Sequence, residues 1–166
     1  INEIKNTSKR ACGVKVFMGA STGNMLVDNL KSLEEIFIHC PKLIATHCES
    51  SPIIDKNLKA AKEKYGDDIP LEMHTEIRSR ECCIESSTLA VNLARNFGSR
   101  LHVLHLTTKE EIDFFSNSSN VAGKSITAEV CIHHMLYSKK DYAIKKGFIK
   151  CNPSIKEEYD RLALIE

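Results

Sequence analysis

A chain of 166 residues is long enough for one domain with a sizeable core, and 23 basic against 22 acidic residues leave a formal charge of +1. That balance excludes charge-driven binding to nucleic acid or to a membrane surface, and no apolar run is long enough to span a bilayer. No secretory leader is expected at the start. The seven cysteines are odd in number and lie mostly in apolar runs or predicted helices, as Cys12, Cys48, Cys131 and Cys151 do, which suits reduced thiols in a cytoplasmic protein and the role of small buried hydrophobes.

In chain order, residues 14–18 read as a buried strand, followed by the polar loop Ala20-Ser21-Thr22-Gly23-Asn24. A helix follows over 29–39, capped by Asp28 or Asn29, and a second strand over 43–48. Pro52 opens a helix that Gly66 ends. Residues 67–79 are irregular in pattern, and the helix over 81–97 is closed by Gly98. The third strand covers 101–106, and Thr108 caps a short helix over 109–115. After a loop over 116–124, the fourth strand is expected within 126–136, a short helix over 139–146, an extended piece over 148–152 and a helix over 155–165.

Strands rich in Val, Ile and Leu that alternate with amphipathic helices indicate parallel βα units in a single unit over 1–166, with no internal repeat or linker. An open doubly wound sheet and part of a (β/α)8 barrel both fit. A full barrel needs about 250 residues, so the expectation is an α/β fragment of one.

Lys15 lies inside an apolar strand, where an unpaired ammonium is costly. As a neutral amine it could act chemically or take up carbon dioxide, and the carbamate would bind metal as a carboxylate does. Two further apolar runs end in His47 and His105, and both barrels and open sheets gather their chemistry at strand C-termini. Imidazole suits zinc, and a carbamate has two oxygens that could bridge two ions. Strand alternation puts His102 and His105 on opposite faces, and the strand-end position favours His105. One of His133 and His134 could point inward, with packing an equal alternative, while His39 and His74 read as surface or loop residues. Thr22 lies in a loop that could cover substrate or be an ordinary βα turn, and Asn152 before Pro153 could be no more than a turn. The pairs His39-Cys40 and His47-Cys48 lack the spacing of structural zinc sites.

Five stretches resemble, in order, the dihydroorotases of the amidohydrolase superfamily, a bacterial type related to hydantoinases and allantoinases. They are Gly13-Val14-Lys15-Val16-Phe17-Met18-Gly19 with residues 20–28, Leu43-Ile44-Ala45-Thr46-His47-Cys48-Glu49, residues 100–108 around His105, residues 128–134 ending in His133-His134, and Lys150-Cys151-Asn152-Pro153-Ser154-Ile155-Lys156. The resemblance implies a (β/α)8 TIM barrel, of which the chain covers strands four to seven, with a binuclear Zn2+ centre. Lys15 matches the carboxylated lysine that bridges both ions, His47 and His105 match metal-binding histidines, and Thr22 and Asn152 match the substrate loop and the region beside the substrate ring.

The family's first-strand His-x-His pair and eighth-strand aspartate base have no counterpart in these residues. The expectation is therefore three of six metal ligands, no catalytic base, and a chain that is inactive by itself. The implied activity is interconversion of N-carbamoyl-L-aspartate and dihydroorotate in pyrimidine biosynthesis. A hydantoinase-like or allantoinase-like hydrolase of another cyclic ureide, or a non-catalytic domain of the same fold, stands beside it. The expected partner is a small-molecule substrate, and association with further copies of the chain is left open.

Overall fold

Short runs of Val, Ile, Leu and Ala build one sheet. In the computed structural model, which describes residues 1–19, 24–117, 120 and 123–166, the strands are β1 (Gly13–Phe17), β2 (Leu43–His47), β3 (Leu101–Val103) and β4 (Ile126–Ala128). They pair in chain order, every pair parallel. Each connection adds the next strand to the same edge, as in a barrel, whereas a doubly wound sheet reverses direction at a switch point.

The helices are α1 (Asn2–Lys5), α2 (Leu30–His39), α3 (Ser51–Tyr65), α4 (Met73–Ile77), α5 (Arg80–Phe97), α6 (Lys109–Ile112), α7 (Ile132–Leu136), α8 (Tyr142–Lys145) and α9 (Glu158–Ile165). The core lies between the sheet and α2 and α5. There Val16, Ile44, Leu101 and Val103 meet Leu33, Ile36 and Phe37 on one helix and Ala90, Val91 and Ala94 on the other. Burying each of these larger aliphatic side chains contributes about 1.5–3 kcal/mol. Several ends follow local chemistry. The Asn29 side chain accepts from the Ser32 amide at 3.1 Å, Gly98 takes the left-handed conformation at φ 67° after α5, and Thr108 and Glu111 form a capping box on α6. Gly19 lets β1 end against the neighbouring chain, because a Cβ there would stand 1.7 Å from the carbonyl oxygen of Glu49.

Other expectations need correction. The third strand stops at Val103, because His105 adopts φ 46° and turns the chain out of the ladder. The fourth stops at Ala128, and Cys131 starts α7 where extended chain is expected. Residues 148–152 are not an extended piece: a 3-10 turn runs over Lys146–Ile149, and the peptide Asn152–Pro153 is cis. The irregular stretch holds α4, and the last helix starts only at Glu158. All seven cysteines are free thiols, but Cys12 is exposed rather than a core residue. His74 is a helical residue, half-buried, whose Nε2 lies 2.8 Å from the Cys151 carbonyl.

Candidate functional site

Parallel pairing sets Lys15, Ala45, His102 and Thr127 in one row across the sheet. Their side chains share the face opposite the helices, which a closed barrel would enclose. No residue of this row is buried, and Lys15 is exposed. The expectation of a buried Lys15 therefore fails: four adjacent strands leave this face open. Its Nζ lies 4.7 Å from the centroid of the Phe17 ring. Partial burial still holds the Lys15 pKa below the usual lysine value, against the charges of Cys48 and Glu129, which raise it.

His47 closes β2 on the same face, and its Nδ1 stands 3.0 Å from His105 Nε2. The premise that alternation admits only one of His102 and His105 to this side is overturned. His102 lies on it by register, and His105 reaches it because its left-handed backbone breaks the alternation. The two histidines differ in partners. His102 lies 2.8 Å from Thr127 Oγ1 and 3.2 Å from Glu129 Oε2, on the open surface. His105 packs edge-on against His47 with ring centroids 4.7 Å apart. Burial, with the nearby His47 and Lys15, pushes the His105 pKa down to about 3 and keeps the ring neutral.

Behind the pair lies a buried polar network. Glu49 is fully buried, accepts from His47 Nε2 at 2.8 Å, and is ion-paired with Arg78. Burial alone would raise the Glu49 pKa, but the His47 hydrogen bond and the Arg78 charge outweigh it and hold it below the usual glutamate value. An ionised Glu49 makes His47 Nε2 the donor and leaves the lone pair on Nδ1, facing His105. Lys156, only 4% exposed, donates to the Arg78 carbonyl at 2.9 Å, to Ser154 Oγ at 2.8 Å and to the Ser154 carbonyl at 3.1 Å. All three ammonium protons are thus satisfied, and the segment after Pro153 is pinned to Arg78.

Glu49, Arg78 and Lys156 are the functional neighbours that sequence reasoning missed. The one local signal was the acidic residue two positions after His47. Asn152 is exposed and lines a separate depression with Leu71, His74 and Lys150, to which Arg78 also contributes. Arg78 is its link to the histidine pair. Thr22 lies outside the described residues.

The donor set fits a metal ion. Two imidazoles bound to one tetrahedral zinc at about 2.0–2.1 Å have nitrogens roughly 3.3 Å apart, close to the observed spacing. A carboxylate on the far nitrogen of a ligating histidine is the usual outer support, and Glu49 supplies it. A pKa below the usual lysine value favours the neutral Lys15 amine that carbamate formation requires.

No protein-family model matches the chain. Over 158 residues it is 30% identical to a dihydroorotase of Staphylococcus aureus, a match covering 90% of this chain and 33% of that protein. Over 136 residues it is 31% identical to an allantoinase of Bacillus velezensis, covering 82% and 29%. This chain is a homologue of the dihydroorotases and allantoinases. It spans about a third of the length of these amidohydrolase relatives. Its fold matches that of hydantoinases. The L-hydantoinase of Arthrobacter aurescens superposes with a TM-score of 0.81 at 22% identity, over 93% of this chain and 34% of that one. A D-hydantoinase does so with 0.81 at 21%, over 98% and 36%. The four-stranded parallel sheet and its helices thus have the fold of the matching third of these hydantoinase structures. Among the described residues, no helix is long and apolar enough to cross a membrane.

Proposed function

We propose that this chain carries part of the metal centre of a cyclic amidohydrolase, and that the reaction is that of a dihydroorotase, opening and closing the ring between dihydroorotate and N-carbamoyl-L-aspartate. The observation that carries the reading is the His47–His105 pair, two nitrogens 3.0 Å apart with a buried carboxylate behind one of them. Zinc is the ion these donors suit, and it would supply polarisation of the ring carbonyl and a nucleophile at neutral pH. His47 and His105 would hold it, with Lys15 joining as a carbamate. Glu49 fixes the His47 tautomer, and Arg78 keeps Glu49 ionised.

Among the described residues, none of the buried carboxylates is free to act as a proton-transferring base. Glu49, Glu111 and Asp160 are all buried and committed: Glu49 to His47 and Arg78, Glu111 to Ser87 and the α6 cap, and Asp160 to Arg80 and the Lys109 amide. By this reading the chain alone binds metal weakly and does not turn over substrate.

The dihydroorotase match spans more of the chain, while the allantoinase match supports a second reading in which the substrate is another cyclic ureide. The test assays the product of the complete reading frame for ring closure of N-carbamoyl-L-aspartate, beside hydrolysis of allantoin and hydantoin. Metal-dependent closure that Lys15→Ala and His47→Ala abolish is the expected result. Turnover of allantoin alone would move the substrate to the second reading. Absence of metal-dependent turnover on all three would leave a non-catalytic domain.

A further inference from the structure

Cys131, His133 and His134 lie at the same strand-end rim, just beyond β4, and the site above does not use them. One ligand atom from each lies within 4.8 Å of the other two. Cys131 occupies the N-cap of α7 without a side-chain capping bond, so its thiol is not engaged there. The rings of His133 and His134 lie side by side, tilted 51° to one another, with centroids 4.3 Å apart.

The decisive atom is on His134, which is 3% exposed. Its Nε2 faces the Pro153 carbonyl at 3.1 Å, and a carbonyl can only accept, so Nε2 carries the proton. Nδ1 is then a buried lone pair, and no hydrogen-bond partner among the described residues reaches it. Leaving such an acceptor unpaired is costly, because it loses its hydration and gains nothing in return. A histidine whose far nitrogen is tied to a backbone carbonyl, with its near nitrogen free, is arranged as metal-binding histidines are. Burial, partly offset by the Pro153 bond, also pushes its pKa down to about 4, so the ring is neutral at physiological pH.

We propose that Cys131, His133 and His134 Nδ1 form a metal site of their own, taking zinc or a similar borderline-soft divalent ion, beside the His47–His105 pair. One thiolate and two imidazoles select this class of ion over magnesium or calcium, which take oxygen ligands. Zinc at about 2.0–2.3 Å holds its donors roughly 3.3–3.8 Å apart, so binding draws the half-buried Cys131 and His133 inward by a side-chain rotation. A cysteine thiol is ordinarily protonated at neutral pH, whereas the metal takes the thiolate. As the S–metal bond forms the S–H bond breaks, and one proton per ion passes to solvent. The fourth position stays open. Cys151 is not part of this set: its Sγ donates to the Pro153 carbonyl at 3.2 Å and lies 3.8 Å from Nε2, the occupied side of the ring.

The test is a titration of the metal-free, reduced chain with Co2+, which shows a near-ultraviolet charge-transfer band when bound to thiolate. Zinc affinity is then measured by competition, and proton release with a pH indicator. The wild type should give the band and release one proton per cobalt ion. Cys131→Ser should lose the band and weaken zinc at this site by more than about 100-fold, and His133→Ala should weaken it at least tenfold. Serine is a good N-cap, so Cys131→Ser should fold, which circular dichroism checks. Cys151→Ser and His105→Ala should keep the band, the latter separating this site from the one proposed above. A folded wild type without the band, or a band that survives Cys131→Ser, would overturn the assignment.

Discussion

The two faces of the sheet are made by alternate residues of the same strands, yet they share almost nothing. On the helix side Val16, Ile44, Leu101 and Val103 are at most 3% exposed. On the other side the row Lys15, Ala45, His102 and Thr127 contains no buried residue. The packed face sets strand register, because a one-residue slip would turn every apolar side chain outward. The open face is thereby left free to hold groups with no packing duty. Glu49 belongs to both regimes, being fully buried while it touches the site through His47.

The comparison breaks most sharply at Glu49. Glu49→Ala should cost about 3–5 kcal/mol, because Arg78 and His47 lose the carboxylate that compensates them. Urea unfolding measures this, and a loss below 1 kcal/mol would mean the network is not buried in solution. On the packed face, Ile44→Ala should cost about 2–5 kcal/mol, from lost burial and the cavity left behind.

Acid should act on the histidines next. The folded chain resists protonating His105 until about pH 3 and His134 until about pH 4, whereas the unfolded value is near 6.5. Below that value the unfolded state binds more protons, so stability of the chelated chain should fall as pH drops from 6.5 towards 4. Above pH 7 these groups should contribute no slope. His105→Gln should flatten the acid limb, and an unchanged limb would show that the ring is solvated.

Smaller effects follow. Thr108→Ala removes the α6 cap and one partner of the buried Glu111, at about 1 kcal/mol. Lys15→Met should change stability by no more than about 0.5 kcal/mol, since the residue is exposed. The same substitution in the complete reading frame should abolish metal-dependent turnover, which would separate the duties of the two faces.

Sequence by itself determined the alternation of strands and helices, an end signal at Asp28 or Asn29, those at Gly98 and Thr108, and His47 at a strand end. These rest on local chemistry, on period-two and period-3.6 patterns, caps and positive φ, which neighbours in the chain decide. The strand-end position favours His105 over His102 from sequence, but tertiary structure alone decided how His105 reaches His47. Alternation fails at His105 because the strand ends at Val103 and the backbone turns left-handed, an event no apolar pattern announces. It also decided that Lys15 stands on an open face, since burial depends on how many strands stand beside its own. Only folding could bring Arg78 to Glu49 and Lys156 to Arg78 across 29 and 78 positions of chain, because buried charges find partners through space.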